Sequence, residues 1–321
     1  MTQEQVLNVV LGEKYAGLRL DVALSDLFPA FSRAFLQRCI KQGRLRREDG
    51  TAVRARDIVS GGEQMVFEPM QADYGPEDEI VGEDIPLTLV HKDDDMLVID
   101  KPAGLVVHPG AGHTRGTLIN ALVFHFPQLK FLPRAGIVHR LDKDTSGLLT
   151  VAATCSAYTA LVRQMQAHKI RREYLCLVQG EVIAGGRVDA PLGRHPRDRK
   201  RMAVVAGGRG AVTHYRVLNR FQGCTLLSVL LETGRTHQIR VHMAHIRHPV
   251  VGDAVYGGHR HALSNKAVLE ALREFKRQAL HATRLALKHP VTGEDCAWES
   301  ELPADMRALM DLLSRHAAAD V

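Results

Sequence analysis

Gly136-Ile137-Val138-His139-Arg140-Leu141-Asp142-Lys143-Asp144-Thr145-Ser146-Gly147-Leu148-Leu149-Thr150-Val151-Ala152 is the stretch whose reading decides the fold. Two apolar runs, Ile137-Val138 and Leu148 to Ala152, bracket a dense island of charges and hydroxyls. Such runs predict buried strands, and a glycine-bounded polar segment between them predicts a loop held on a rigid sheet. Loops positioned in this way often carry catalytic side chains. The bland alternative is an exposed, solvated hairpin. Against it stand Arg140 and Asp142, which in an extended chain point to the same face, so a cation and a carboxylate can share one pocket.

Outward from this stretch, strands and helices alternate irregularly. On the N-terminal side, Asp93-Asp94-Asp95 reads as a turn rather than a metal site, leading into a strand over Met96–Asp100. Leu105-Val106-Val107 reads as a second strand ending at His108-Pro109-Gly110-Ala111-Gly112, and Thr117–His125 suits a helix. On the C-terminal side come a helix over Ala157–His168, a basic turn at Lys169–Arg172 and a strand over Tyr174–Val178. A run with Arg194, Arg197, Arg199, Lys200 and Arg201 reads as exposed loop. Strands are expected at Val212–Leu218 and Thr225–Glu232, and a helix at Ile239–Ile246, with the tail beyond Leu312 fraying. This order predicts an α+β domain around a mixed, mostly antiparallel sheet, not a Rossmann fold.

The chain is 321 residues long, enough for one large domain or two unequal ones. No apolar run approaches the ~20 residues of a membrane span, and the N-terminus has no signal-peptide pattern. Cys39, Cys155, Cys176, Cys224 and Cys296 are scattered without a CxxC pair, which argues against a disulfide framework and fits a reducing cytoplasm. The net charge of +6 is unevenly spread: residues 1–72 carry +1, residues 73–100 carry −9, and the remainder carries +14. A basic body behind an acidic connector points to a polyanionic partner, because Lys/Arg clusters gain affinity by releasing counterions. Residues 69–86, with Pro69, Gly75, Pro76, Gly82 and Pro86 among acids, have linker composition.

The N-terminal segment reads as a small helical module. Leu20, Leu24 and Leu27 make one helix face ending before Pro29, and Ser32 caps a second helix, Arg33–Gln42, stopped by Gly43. Basic residues Arg33, Arg38, Lys41, Arg44, Arg46 and Arg47 follow one another on it, and turns at Asp49-Gly50 and Gly61-Gly62 close the unit near Phe67. A solvated helix face is the alternative reading. Leu18-Arg19-Leu20-Asp21, Ser32-Arg33, Gly43 and Gly61-Gly62-Glu63 resemble an S4-like RNA-binding domain over residues 17–68, with Arg46–Gly50 departing from the usual turn of that domain.

Several standard chemistries do not fit. Gly207-Gly208-Arg209-Gly210 lacks phosphate-loop spacing. Asp142-Lys143-Asp144-Thr145 resembles the DxDxT nucleophile of haloacid dehalogenase-type phosphatases, but Ser146 occupies the slot of its threonine. His237, His242, His245 and His248 lack the neighbouring Cys or carboxylate ligands of tetrahedral zinc sites. What remains is aspartate chemistry with basic and aromatic helpers. A carboxylate beside an arginine stays ionised and suits a nucleophile or the electrostatic partner of a positive centre, such as sugar C1′ presents.

His139-Arg140-Leu141-Asp142 with Thr145-Ser146-Gly147 carries a second and stronger resemblance. Asp100-Lys101-Pro102, Gly104–Pro109, Arg172-Glu173-Tyr174, Thr233–His242, His248-Pro249, Gly252-Asp253 and Tyr256-Gly257 extend it. The chain resembles RluA-type pseudouridine synthases. That resemblance implies Asp142 as the catalytic aspartate acting at the C1′–N1 bond of uridine, by sugar attack or through a glycal. It implies Tyr174 lying against the base and assisting C5 proton removal, and Arg240 pairing with the aspartate. Arg140 would fill the gap left by a flipped uridine, and His139, Thr145, Arg235 and His237 would contact substrate. It implies no cofactor and no metal, large-subunit ribosomal RNA as partner in assembling particles, and a cytoplasmic monomer. The expected organisation is an extension at 1–16, the S4-like domain at 17–72, an acidic linker at 73–86 and a catalytic domain at 87–321. A transfer-RNA synthase of the same family and a non-catalytic RNA-binding assembly factor are the other readings.

Overall fold

The computed structural model describes residues 7–28, 33–68, 80–109, 115–198, 201–257 and 265–317. Ser32, most of the Pro/Gly linker, Gly110–Gly112, Arg199 and Lys200 lie outside them.

The N-terminal unit is built from β1 (Leu7–Leu11), α1 (Leu20–Leu27), α2 (Arg33–Lys41), β2 (Leu45–Arg47) and β3 (Glu63–Phe67). The strands form an antiparallel sheet in the order β1-β3-β2, so residues 7–11, expected in an extension, are part of the unit. Leu11, Leu20, Leu24, Leu36, Leu45 and Phe67 make its separate core. Gly43 ends α2 in the left-handed region, at φ +70°, which costs glycine nothing. Asp21 is fully buried at the start of α1 and accepts hydrogen bonds from Arg19, Arg33 and Gln37. Burial alone would raise its pKa, but these donors hold it below the usual carboxylate range. Two guanidinium groups are thereby fixed at the surface of the module.

The larger unit holds β4 (Thr88–Lys92), β5 (Met96–Lys101), α3 (Leu118–His125), β6 (Ser146–Ala152), α4 (Cys155–Gln166) and β7 (Arg171–Gln179). It continues through β8 (Gly186–Asp189), β9 (Leu192–Arg194), β10 (Met202–Val204), β11 (Val212–Phe221), β12 (Cys224–Leu231) and α5 (Gln238–His245). It ends with α6 (Lys266–Glu274), β13 (Leu280–Lys288), β14 (Asp295–Glu299) and α7 (Ala304–Ala317). A nine-stranded sheet runs β4-β5-β6-β13-β7-β12-β11-β8, with β14 also paired to β13. Its pairs are antiparallel except β6 with β13, which join in parallel at Ser146–His281 and Gly147–Ala282. The expected mixed, mostly antiparallel α+β architecture is what the chain forms.

All seven residues of β6 are buried because both sheet faces are covered. Leu149 and Val151 enter the main core with α3, while Leu148 and Ala152 pack with Ala157, Tyr158 and Leu161 of α4. A period of two thus sends alternate side chains into different cores, which is why the sequence shows an unbroken apolar run there.

Other expectations shift. Ile137-Val138 is not a strand; Ile137 makes a single bridge to Val151. Leu105–Val107 likewise contributes one bridge, Val106 to Thr117. The arginine-rich run is framed by the β9–β10 hairpin, and the Arg201 guanidinium lies 5.3 Å over the Tyr256 ring instead of in solvent. The helix α7 continues past Leu312 to Ala317, with Leu313 in the main core, and residues 318–321 lie outside the described residues. Residues 80–87, expected mainly as linker, form a strap along α3. Asn120 Nδ2 donates to the Val81 carbonyl, Glu83 N–H to the Asn120 carbonyl, and Ile80 and Leu87 pack on the main core.

Candidate active site

The polar loop 138–145 is clamped at both ends by glycines that no other residue can replace without movement. Gly136 (φ +81°) would place a Cβ 2.1 Å from the Ala152 carbonyl oxygen, and Gly147 (φ +109°) would place one 2.2 Å from that of Ala282. Underneath, Lys101 is fully buried and donates to three carbonyl oxygens, those of Pro102, Leu105 and Lys143. Burial pulls its pKa down to about 7, against the attraction of Asp144 and Asp142. Three acceptors for three protons is the arrangement an ammonium needs. Gly104 N–H also reaches the Lys143 carbonyl, Gln278 Nε2 reaches Thr145 Oγ1, and Arg277 reaches the Asp144 carbonyl.

Asp142 emerges from this loop, and its partner is Arg240 on α5, not its sequence neighbour Arg140. Arg240 Nη1 donates to Asp142 Oδ2 at 2.9 Å. The other edge of the same guanidinium forks onto Asp253, with Nε to Oδ2 at 2.7 Å and Nη2 to Oδ1 at 2.9 Å. Burial works to raise the Asp253 carboxyl, but Arg240 and the backbone N–H groups of Val255 and Tyr256 outweigh it and hold it low. Burial opposes the charge on Arg240 as well, yet the two carboxylates raise its pKa. A bidentate fork fixes the plane of the guanidinium, so its remaining N–H groups aim at one place. Tyr256 lies beneath, with its ring 5.1 Å from the guanidinium.

His237 completes this side. It sits in the left-handed region at φ 55°, immediately before α5. Its Nδ1 is 2.8 Å from the Tyr256 hydroxyl, and its Nε2 is 3.9 Å from Asp142 Oδ1. Burial pushes its pKa down, although Asp142 pulls the other way. Gln238 ties the turn together by accepting from Thr233 Oγ1 and Arg235 N–H and donating to Val212 and Thr213.

Asp142, Tyr174, Arg240 and His237 line one cavity of about 380 Å³, together with His139, Arg140, Thr145 and Arg235. That volume lies in the range of small-ligand pockets. Tyr174 projects from β7, and burial raises its pKa. Arg140 and Arg235 are exposed, whereas His139 and Thr145 are buried. All eight residues expected at the site are therefore brought together. Lys101, Asp253, Tyr256, Gln278 and Arg172 were present in matching blocks or beside them, but no local pattern gave them roles, since each acts through residues distant in sequence.

The histidines of and after α5 do not converge on a metal. His242 uses Nδ1 toward Thr213 Oγ1 and Nε2 toward the Ala190 carbonyl, while His248 Nδ1 meets the Gln179 carbonyl. Asp93, Asp95 and His289 lie close together elsewhere. There His289 Nδ1 accepts the Val291 and Thr292 N–H groups, so its proton sits on Nε2, donated to Asp93. Asp93 Oδ1 meanwhile caps the turn at Asp95 and Met96.

Residues 95–245 match the RNA pseudouridylate synthase family. The chain is 53% identical over 95% of its length to ribosomal large subunit pseudouridine synthase D of Pseudomonas aeruginosa, of which 95% is covered. It is 50% identical to the protein of that name from Xanthomonas campestris, over 96% of this chain and 93% of the relative. The protein of that name from Escherichia coli K12 is 46% identical, over 98% and 96%. The chain belongs to the RNA pseudouridylate synthase family. Solved structures agree on the fold. Human RNA pseudouridylate synthase domain containing 1 aligns with a TM-score of 0.56 at 24% identity, over 74% of this chain and 97% of that one. Domain containing 4 gives 0.57 at 24% identity, over 71% and 93%. Among the described residues no helix is long and apolar enough to cross a membrane.

Proposed function

We propose that this chain converts uridines of large-subunit ribosomal RNA to pseudouridine, with Asp142 as the catalytic carboxylate. One observation carries the reading: Asp142 is held by an arginine whose other edge is fixed by the buried Asp253. The guanidinium orients the carboxylate at the cavity. A uridine turned out of its stack would present C1′ to Asp142 and its ring to Tyr174. The carboxylate meets the positive charge that develops at C1′ as the bond to N1 breaks, either by bonding to it or by promoting loss of a neighbouring proton. The base then turns, C5 joins C1′, the C5 proton leaves with the help of Tyr174, and N1 takes up a proton. Atoms balance without a second substrate.

Arg140 and Arg235, exposed at the cavity rim, suit the flanking phosphates and the space left by the flipped nucleotide. The N-terminal unit, with Arg19 and Arg33 fixed by Asp21, supports reading it as an S4-like RNA-binding module. The division proposed is residues 7–68 for binding and 80–317 for catalysis. Assembling ribosomal particles in the cytoplasm are the proposed setting, and a monomer the proposed form. The test is chemical mapping of pseudouridine in ribosomal RNA from cells lacking the protein, restored with the wild type or with Asp142→Asn. The wild type restores the missing pseudouridines and the variant does not. Restoration by Asp142→Asn would refute the catalytic assignment.

A further inference from the structure

Arg172 stands apart from the other buried cations. It lies on β7 two residues before Tyr174, so both side chains project to the same side, and both line the cavity. Its exposure is 6%, against 5% for Arg240. Arg240 has two carboxylates and Lys101 has three carbonyl oxygens, whereas Arg172 has no ion pair among the described residues, and its buried Nε–H has no acceptor. The guanidinium rests against Gly234, where a Cβ would come within 2.7 Å of Nη1. A buried cation without a counter-charge is expensive to the folded state. A cost of that kind persists where a ligand supplies the missing partner.

His139 is a second, independent sign. The Thr150 N–H donates to its Nε2 at 3.1 Å, which places the imidazole proton on Nδ1. That Nδ1 is buried and without a partner. The ring stays neutral, because burial, and to a lesser degree the charge of Arg172, push its pKa to about 3. Arg172 and His139 thus line one cavity with the catalytic carboxylate; Arg172 Nε and His139 Nδ1 are themselves closed off from it, which leaves the Arg172 Nη groups to meet a ligand there. They are too deep to serve RNA phosphates, which the exposed rim arginines can meet. They suit the carbonyl oxygens of a base.

We propose that the Arg172 guanidinium binds the uracil carbonyl groups and stabilises the uracil anion formed on glycosidic cleavage. This deepens, and rests on, the isomerase reading above. When C1′–N1 breaks, the bonding pair leaves with the base and spreads from N1 onto O2 and O4, while Asp142 faces the positive sugar. The pair returns through C5 to C1′, the C5 proton departs and N1 gains one, so no charge remains on the base. Asp142 and Arg172 divide the labour: one meets the cationic half of the broken bond, the other the anionic half. The cation also holds the detached base while it turns. Preorganised donors aimed at developing charge typically contribute 10²- to 10³-fold in rate.

The test compares wild type, Arg172→Gln and Arg172→Lys on large-subunit RNA transcripts made with uridine or 5-fluorouridine. Fluorine withdraws electrons and stabilises the base anion by itself; because C5 then carries no proton to lose, the fluorinated transcript is scored by the C5-linked nucleotide it forms and not by completed pseudouridine. Arg172→Gln is expected to lose about 10²-fold in single-turnover rate at saturating RNA, with RNA affinity unchanged. The loss should be smaller on the fluorinated transcript, and Arg172→Lys should recover part of it. The thermal midpoint of the free Gln variant should hold or rise, because an unpaired buried charge has been removed. Wild-type rates, a loss confined to RNA affinity, equal losses on both transcripts, or a destabilised or unfolded Gln variant would each overturn the proposal. If the wild type itself leaves uridine unchanged, the isomerase reading fails instead.

Discussion

Asp253→Asn separates the support of the site from its chemistry. The Asp253 carboxylate is fully buried, takes two Arg240 N–H groups at 2.7 and 2.9 Å, and also takes the Val255 and Tyr256 N–H groups. An amide of the same shape keeps one acceptor oxygen and turns an NH₂ toward a donor, so at least one Arg240 bond is lost and the guanidinium keeps only Asp142 as counter-charge. Removing one partner of a buried pair costs about 3–5 kcal/mol. With a urea slope of about 2–3 kcal/mol per molar, the unfolding midpoint falls by about 1–2 M. Arg240 is then free to swing fully onto Asp142, and turnover falls at temperatures where the variant is still folded. An Arg240→Met/Asp253→Leu double variant regains most of the stability, because apolar replacement of a whole buried pair is often neutral, yet stays inactive. Urea titration and single-turnover conversion of an RNA transcript measure both. A stability within about 0.5 kcal/mol of wild type, or a double variant that turns over, would refute the reasoning.

Acid sensitivity follows from two histidines, His139 buried and His108 half-buried. Burial, with lesser help from nearby arginines, lowers His139 to about 3 and His108 to about 4. Below about pH 6.5 the unfolded chain takes up protons the folded one refuses, so their stability contribution is complete above that pH. It is lost as pH falls toward 4, at up to about 1.4 kcal/mol per unit for each; urea midpoints at pH 7, 6 and 5 that do not decline would refute this. Gly147→Ala forces a Cβ onto the Ala282 carbonyl at positive φ and should cost at least about 2 kcal/mol, read as a lowered thermal midpoint together with lost turnover. A fragment beginning at Ile80 should fold and convert uridine at saturating RNA, with weaker binding and a shallower salt dependence. One beginning at Leu87 should be less stable, since it lacks the strap on α3, and equal melting of the two would show that the strap contributes nothing.

How much the sequence disclosed depended on the range of each interaction. The unbroken run Leu148–Ala152 announced a strand covered on both faces, and the island before it announced the loop, because both signals are local. The misread pieces were local too, but ambiguous: Ile137, Leu105 and Val107 are apolar because they meet the main core, Val138 packs on the cluster beneath α4, and each segment makes one bridge rather than a ladder. Arg140 looked like the natural companion of Asp142 from its spacing alone. The actual companion lies 98 residues away, and Asp253 is 13 residues beyond that. Pattern reading registers such residues only through family resemblance; their roles exist once the chain has folded.

The place of β13 in the sheet has a consequence for the protein's birth. β4, β5 and β6 form one block of ladder, β7, β12, β11 and β8 another, and among the described residues only β13 pairs with both. β13 spans residues 280–288, so it is made after every strand of both blocks. Until it emerges from the translating ribosome, β6 and β7 each present an open edge, the kind of surface that invites misassembly. Asp142 stands just before one block and Tyr174 within the other, and the two face one cavity. A complete sheet beneath that cavity therefore waits on the insertion of a later-made strand into its middle.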